Sequence, residues 1–319
     1  MSDIAEPLTG ITPAKQQHPM TGYILYLAAV FLFALNGTVS KSLLLTGIDA
    51  ARLSQIRVSS AFLMLFLLIA ITRPAALRIT KKELPVLLVY GVIGVAVTQY
   101  LYFVALQTLP VGVTLLIEFT APIMVALWFR FGMKQATRKT LWVGLVLALT
   151  GLAIVAQVWL GFTLNVFGVT AAFVSAIALA LYYILADKQL HSAHPRDVVS
   201  LTMWGFGASA AFWAILQPWW SFPWESLTGV GYPLGPDDGA FPIWALLACL
   251  LVLGTTVPYL LLVTSMRHIR ASQASVIGMI EPLIAIAIAW LALGEIMTPV
   301  QIIGALIVLF GILLAERSR

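Results

Sequence analysis

Residues 242–265 of the chain read PIWALLACLLVLGTTVPYLLLVTS, a run of 24 residues without one charged side chain. About 20 consecutive apolar residues are enough to cross the hydrocarbon core of a membrane as an α-helix. Because unpaired backbone groups are costly in lipid, such a run is expected to be helical along its length. This stretch therefore predicts a membrane-spanning helix.

The composition extends this prediction to the rest of the chain. Of the 319 residues, 61% are hydrophobic and 10% are charged, and the mean hydropathy is +0.99. Soluble domains carry roughly 25% charged residues, so the composition excludes a soluble globular protein and a disordered one. We predict an all-α integral membrane protein with ten spans, at about residues 21–45, 49–72, 84–106, 111–130, 139–158, 166–186, 198–217, 242–265, 271–292 and 298–315. The long loop at 218–241 is rich in aromatic residues, which suits a membrane interface.

The basic residues indicate the orientation of the chain. With the N-terminus in the cytoplasm, 15 of the 18 basic residues fall in cytoplasmic segments, and the outer loops carry acidic residues only. Lys and Arg are concentrated on the cytoplasmic side of membrane proteins. We therefore expect a multi-pass protein of the bacterial inner membrane with both termini in the cytoplasm. Residues 1–20 are expected to form a cytoplasmic tail, since they hold no apolar stretch typical of a signal peptide.

Several protein classes are disfavoured by missing patterns. The single cysteine, Cys249, allows neither a disulfide within the chain nor a thiolate zinc site. The chain has no Gly-x-x-x-x-Gly-Lys-Ser/Thr loop, no His-Glu-x-x-His and no Gly-x-Ser-x-Gly. The net charge of +5 comes from short basic clusters between apolar runs, which reflects topology rather than nucleic-acid binding. We expect no enzymatic activity, no metal and no cofactor.

Two halves of the chain show internal similarity. A shift of 160 residues aligns spans 3–5 with spans 8–10, and a shift of 146 residues aligns span 1 with span 6. The aligned pairs are Gly94 and Gly254, Val97 and Val257, Leu101 and Leu261, Pro122 and Pro282, Gly144 and Gly304, Gly151 and Gly311, Gly22 and Gly168, Ala34 and Ala180, and Leu35 and Leu181. Five spans per half predicts that the halves, residues 21–158 and 166–315, run in opposite directions. Inverted repeats of this kind are typical of transporters.

Short segments along the whole chain carry a family resemblance. The most specific is Ala274-Ser275-Val276-Ile277-Gly278-Met279-Ile280-Glu281-Pro282; others are Leu32-Phe33-Ala34-Leu35-Asn36-Gly37, Tyr90-Gly91-Val92-Ile93-Gly94 and Ala180-Leu181-Tyr182-Tyr183. With these segments the chain resembles the EamA branch of the drug/metabolite transporter superfamily, and within it YddG-type exporters of amino acids. The resemblance implies a basket of ten helices in two inverted five-helix repeats. It also implies a central cavity lined by spans 1, 3, 4, 6, 8 and 9, and the export of amino acids or similar small metabolites.

Away from the ends of the predicted spans, four residues are ionisable: Lys41, Arg57, Glu118 and Glu281. A charge near the bilayer centre is costly, so each needs a partner, water or neutralisation. We expect Arg57 to form a structural ion pair that locks span 2 to the bundle; the alternative is a ligand for a substrate carboxylate. Lys41 is either a gate residue or a side chain that reaches the outer interface. Glu118 and Glu281 are candidate ligands or proton carriers, or repair the helix kinks beside them.

Prolines mark three candidate hinges. Pro122 and Pro282 occupy matched positions in the two halves, and Pro258 lies in span 8. Each proline lacks an N–H and frees the carbonyl one turn earlier. These positions are either bending points for alternating access or static kinks, which membrane helices tolerate.

The remaining candidate substrate ligands are neutral polar or aromatic residues within spans: Asn36, Thr98, Tyr102, Tyr182, Tyr183, Tyr259 and Ser275. Small polar groups suit zwitterions, and aromatic rings suit apolar side chains. Glycine and alanine stripes in spans 5 and 6, such as Gly144, Ala148 and Gly151, predict close helix packing. They leave the oligomeric state undecided.

Taken together, these patterns favour a secondary transporter that exports amino acids, aromatic and other neutral ones included, by alternating access. A small-multidrug-type exporter of cations is one alternative. A channel-like or lipid-moving membrane protein is another, and it would need a continuous polar lining. The expected partners are a small-molecule substrate and the lipid bilayer.

Overall fold

The computed structural model describes residues 19–109, 111–135, 137–159, 165–192, 195–232, 239–293 and 298–317. Its long helices are α1 (Pro19–Leu44), α2 (Ala50–Thr72), α3 (Leu84–Thr108), α4 (Val111–Glu118 and Ala121–Leu127, extended through Trp128–Gly132), α5 (Lys139–Val155), α6 (Val166–Leu190), α7 (Val198–Leu216), α8 (Ile243–Ser265), α9 (Ala271–Gly278 and Glu281–Leu293) and α10 (Pro299–Glu316). The connection between α7 and α8 holds two short 3₁₀ turns and a two-residue antiparallel pairing of β1 (Val230–Gly231) with β2 (Phe241–Pro242).

Eight of these helices are long and apolar enough to cross a membrane. Among the described residues, Lys139–Val155 and Ala271–Ala285 are shorter apolar helices. The apolar surface is large, since leucine, isoleucine and phenylalanine side chains are exposed along most helices. An exposed apolar belt of this kind is expected where lipid replaces water. The helix ends differ from the predicted spans by no more than four residues, at the end of α6.

Helices of the first half pack mainly on helices of the second half. α1 lies against α8, α2 against α7, α6 against α3, and α5 against α10. Because most connections between successive helices are short, neighbouring helices run in opposite directions. The starts of α1, α3, α5, α7 and α9 therefore share one end of the bundle with Arg270, which we call the Arg270 end. The opposite end carries Gly47.

Irregular features recur 160 residues apart. α3 contains a wide π-helical turn at Val92–Val97, and α8 contains one at Val252–Thr256. α4 is interrupted after Glu118 and α9 after Gly278, each by a two-residue break. In both helices the second part begins beside a proline, Pro122 or Pro282. The kinks expected at these two prolines are thus breaks, with a helix that ends and restarts.

Glycines allow α5 and α10 to approach closely. A Cβ added at Gly144 would lie 2.6 Å from the Gly311 carbonyl oxygen, and one added at Gly151 would lie 2.8 Å from that of Gly304. Any side chain there would collide with backbone, so only glycine fits. The predicted packing stripe in α5 is thus an intramolecular seam with α10.

A polar network closes the Arg270 end. Asp187 of α6 accepts hydrogen bonds from Ala271 N at 3.0 Å and from Arg270 Nη1 at 3.4 Å, at the start of α9. Gln273 Nε2 donates to the Tyr23 hydroxyl at 2.9 Å and to Glu316 Oε1 at 2.7 Å. Four helices, α1, α6, α9 and α10, are therefore joined at this end.

A second contact at the Arg270 end joins the start of α3 to α7. Arg196 Nη1 donates to Glu83 Oε1 at 2.9 Å. Glu83 also accepts from the Thr80 N–H at 2.8 Å. The Thr80 N–H holds the pKa of the Glu83 carboxyl below its usual range, partial burial opposes this, and the Arg196 guanidinium adds to the lowering.

Candidate functional site

A pocket of about 110 Å³ lies between the helices. The space is well above the minimum of about 10–15 Å³ that one water needs. The pocket is lined by Tyr26, Val30, Phe33, Asn36, Gly37 and Ser40 of α1, Arg57 of α2, Gly94, Thr98, Gln99 and Tyr102 of α3, Glu118 and Phe119 at the α4 break, Leu179, Tyr182 and Tyr183 of α6, Tyr259 and Leu262 of α8, and Gly278 and Glu281 at the α9 break. Both halves of the chain contribute.

Hydrogen-bond donors converge on one freed carbonyl in α8. Pro258 has no N–H to donate to the Gly254 carbonyl, four residues earlier. This oxygen instead accepts from Asn36 Nδ2 at 3.0 Å and from Arg57 Nη2 at 3.0 Å. A Cβ at Gly254 would lie 2.7 Å from Asn36 Oδ1, so glycine permits this approach of α1. The proline and glycine together therefore position Asn36 and Arg57 in the pocket.

The environment of Arg57 differs from the expected ion pair. Its Nε donates to Thr255 Oγ1 at 2.8 Å, and its guanidinium carbon lies 5.0 Å from the centre of the Phe103 ring. Within the described residues it has no carboxylate partner at ion-pair distance. Arg57 is 4% exposed yet lines the pocket. The prediction of a structural ion pair is therefore not matched by the observed contacts, which are hydrogen bonds to neutral groups.

Two carboxylates enter the pocket where α4 and α9 are broken. Glu118 ends the first part of α4, and Glu281 begins the second part of α9. Glu118 Oε1 lies 2.9 Å from the hydroxyl of Ser175 on α6, which also lies 3.0 Å from the Thr98 carbonyl oxygen. One hydroxyl proton serves only one of these acceptors at a time. Acceptor capacity therefore remains at Glu118, and at Glu281 beside it in the same pocket.

Aromatic rings form the rest of the wall. Tyr259 meets Phe33 and Tyr182 edge-on, with ring centres 5.3 and 6.0 Å apart. Tyr259 also accepts a hydrogen bond from Gln99 Nε2 at 3.2 Å. Tyr26 and Tyr183 share a hydrogen bond of 2.5 Å between their hydroxyls. Such a wall offers apolar faces and a few polar edges, which suits a small amphipathic molecule.

A model of the EamA-like transporter family matches residues 20–157 and 166–316. The chain belongs to this family. The resemblance to the EamA branch of the drug/metabolite transporter superfamily is thus confirmed, and the chain is a multi-pass membrane transporter and not an enzyme.

Relatives of this EamA-like transporter share a quarter of its sequence or slightly more. It is 28% identical to an uncharacterized transporter of Archaeoglobus fulgidus, over 91% of this chain and 96% of that protein. It is 26% identical to the threonine/homoserine exporter RhtA of Escherichia coli, over 76% of this chain and 75% of that protein. A solved crystal structure superposes with a TM-score of 0.72 at 16% identity, covering 93% of this chain and 98% of that one. This last likeness concerns the fold alone.

The structure places most of the predicted site residues of the EamA-like chain in the pocket. Those that line it are Asn36, Thr98, Tyr102, Glu118, Tyr182, Tyr183, Tyr259 and Glu281. Ser275 does not: it is 1% exposed, and its hydroxyl donates to the Ser272 carbonyl in its own helix. The Lys41 side chain lies outside the described part of the structure. Pro122, Pro258 and Pro282 lie beside irregular turns in α4, α8 and α9.

Three further polar residues were not singled out from the sequence as site residues. Ser175 contacts Glu118, Gln99 contacts Tyr259, and Thr255 contacts Arg57. Gln99 also lines the pocket. Neutral polar residues are common in membrane helices, so their types alone carry little signal. The spacing of Ser175 seven residues before Tyr182, on the same face of α6, would have indicated it.

Proposed function

We propose that this protein is a ten-span secondary transporter that exports amino acids, aromatic and other neutral ones included, from the cytoplasm by alternating access. Within the family, the sequence resembles the YddG-type exporters of amino acids. Both termini would lie in the cytoplasm, with residues 1–20 as a tail. The two five-helix repeats, residues 21–158 and 166–315, would enclose a central substrate cavity.

One observation carries this proposal: a pocket inside an apolar bundle gathers nearly all of the intramembrane ionisable groups that are described. Ionisable residues within a membrane are costly and are retained at transport pathways. Arg57 supplies a positive charge and Glu118 and Glu281 supply carboxylates, alongside aromatic rings. This mixture suits a molecule that has a carboxylate, an ammonium group and a variable side chain.

Paired contacts support the inverted repeat. Gly94 lies close to Tyr182, where an added Cβ would be 3.1 Å from the tyrosine Cβ, and Gly254 lies close to Asn36, where an added Cβ would be 2.7 Å from the amide oxygen. The shift of 160 residues relates Gly94 to Gly254, and the shift of 146 residues relates Asn36 to Tyr182, so the two pairs are equivalent in the repeat. Gly22 packs on His268 and Ile269, and Gly168 packs on Thr108 and Leu109, which the same shifts relate. Two halves related in this way can exchange roles as the site opens to either side.

Transport from proteoliposomes tests this function. The vesicles are preloaded with labelled tryptophan or threonine, with and without a pH gradient. We expect efflux that saturates and that is accelerated by unlabelled amino acid outside, since a carrier exchanges substrate across one site. A response to the gradient would indicate proton antiport, and no response would indicate facilitation. No flux of any amino acid above that of empty liposomes would contradict the proposal.

Flux of organic cations without amino acids would instead favour the small-multidrug alternative. The observation that favours it is the excess of two carboxylates over one guanidinium in the pocket. Linear, non-saturable flux without counterflow would favour a channel-like protein.

A further inference from the structure

Arg57 is the basic side chain that lines the pocket in the described part of the chain. It lies seven residues into α2, which corresponds to about 10 Å along the helix axis. This depth keeps the guanidinium away from the headgroup region. A cation at such a depth needs an anion, water or a ligand to offset the lost hydration.

The contacts of Arg57 hold its position without neutralising its charge. Thr255 Oγ1 and the Gly254 carbonyl accept from Nε and Nη2, at 2.8 and 3.0 Å. The Thr255 hydroxyl proton is directed to the Leu250 carbonyl at 2.9 Å, which leaves a lone pair for Arg57. The Nη1 group has no hydrogen-bond partner among the described residues, and Arg57 lines the pocket.

The two other buried arginines of the described residues, Arg52 and Arg196, make their contacts outside the pocket. Arg52, one turn earlier on the same helix, donates to Gln55, to the Pro218 carbonyl and to Ser221. Arg196 is paired with Glu83. Arg57 differs from both in facing the pocket without a carboxylate partner among the described residues. A planar guanidinium is the group that binds carboxylates in bidentate geometry.

The second half of the chain has a glycine at the position equivalent to Arg57. α2 and α7 are the equivalent helices of the two halves, and each begins after an N-cap aspartate, Asp49 or Asp197. These two residues are 148 positions apart, so the residue equivalent to Arg57 is Gly205. Gly205 packs against the ring of Tyr90, and an added Cβ there would lie 2.5 Å from it. In the second half, the Tyr90 ring thus packs at this position, whereas the first half has the Arg57 guanidinium there.

We propose that Arg57 binds the carboxylate of the transported amino acid, with Asn36 beside it, while Glu118 and Glu281 accept its ammonium group. This inference rests on the proposed function. The residue would then determine specificity for α-amino acids over amines. Substrates with a second carboxylate are disfavoured, because two acidic side chains already face the same pocket.

Competition binding to the purified full chain tests this assignment. Labelled threonine and labelled tryptophan are bound to wild type, Arg57→Gln and Arg57→Lys, and displaced by the unlabelled amino acid or by its amide, which lacks the carboxylate. In wild type we expect the amino acid to compete at least about tenfold better than the amide, because the amide cannot form the charge-assisted hydrogen bond between Arg57 and a carboxylate. Arg57→Gln is expected to lose this preference and to bind the amide within about twofold of wild type. Arg57→Lys should restore part of the preference.

Arg52→Gln is the matched control, because it removes the same charge from the same helix outside the pocket. We expect it to retain the preference for the acid over the amide. The assignment is overturned if Arg57→Gln keeps the preference, or if it loses acid and amide binding equally while remaining monodisperse. Should Arg57→Gln fail to fold, equal competition by acid and amide in wild type and in Arg57→Lys would overturn it as well. Wild type that binds and transports no amino acid would overturn the proposed function itself.

Discussion

Glu281 lies where α9 restarts, directly before Pro282, and its carboxylate faces the pocket. Within the described residues it makes no ion pair. We predict that Glu281→Gln reduces amino-acid counterflow by about tenfold or more, because a carboxyl group that can carry a negative charge is replaced by an amide that cannot. The variant should still fold, since the amide has the same shape. Counterflow at the wild-type rate across pH would exclude a role for this carboxylate.

At the residue scale, charges inside spans could be found from the sequence because they are rare and costly there. The groups that these charged side chains contact could not be found from the sequence. The Arg57 contacts depend on a carbonyl freed by Pro258, 201 positions along the chain, and on the glycine that lets α1 approach it. Ser275 illustrates the opposite error: its type suggested a ligand, whereas its hydroxyl is used within its own helix.

At the element scale, the α5–α10 seam shows how glycine position determines helix contact. Gly144→Leu would place a side chain against the Gly311 carbonyl and Ala315 N, both 2.6 Å from an added Cβ. We predict a loss of stability of about 1–3 kcal/mol or more, as for other overpacked sites. Thermal unfolding of the detergent-solubilised protein measures it.

Val146→Leu is the control for that seam, because Val146 is on the same helix and 61% exposed. It should unfold at the wild-type temperature. Equal unfolding temperatures for Gly144→Leu and wild type would mean that α5 and α10 do not pack through these glycines.

The long apolar helices and their approximate ends were predictable, because apolar runs of membrane length are unambiguous. The wide turns in α3 and α8 were not, since a π-helical turn has no strict sequence signature. The helix breaks in α4 and α9 were indicated by Pro122 and Pro282 but were expected as kinks. Their form depends on tertiary contacts with neighbouring helices, which local propensity does not contain.

At the scale of the whole molecule, the two ends of the bundle differ in chemistry. At the Arg270 end, Asp187, Gln273 and their partners join four helices. The repeat shifts relate Asp187 to Lys41 and Gln273 to Val113, so these particular contacts are not repeated at the Gly47 end. There, Arg52 and Gln55 of α2 donate instead to the end of α7 and to the connection that follows it. We infer that this chain favours the state closed at the Arg270 end, which faces the cytoplasm in the orientation proposed above.

Asp187→Asn tests this preference. Removing the Asp187 charge weakens its contacts with Arg270 and the start of α9. A loss of about 1–3 kcal/mol in the stability of the closed state corresponds to a roughly 5–150-fold shift in the ratio of the two states. In a Cys249→Ala background, Leu262→Cys reports opening near the Arg270 end, because Leu262 lines the pocket. We predict that an impermeant maleimide applied from the cytoplasmic side labels the cysteine at position 262 several-fold faster in the Asp187→Asn variant than in its parent.

Asp197→Asn is the corresponding control, since Asp197 caps α7 at the same end and pairs with Arg73. It should leave the labelling rate unchanged. Equal rates for Asp187→Asn and its parent would contradict the inferred preference.

The central claim is that the pocket between the two halves holds the transported amino acid, and substrate protection tests it most directly. A single cysteine is introduced as Leu179→Cys, at the pocket wall, in the Cys249→Ala background, and alkylation is followed with and without saturating threonine or tryptophan. The native Cys249, exposed on α8, is the control in the otherwise unchanged protein. We predict that the amino acid slows alkylation at position 179 and leaves that of Cys249 unaltered. Active counterflow with no protection at position 179 would place the substrate elsewhere and contradict the account.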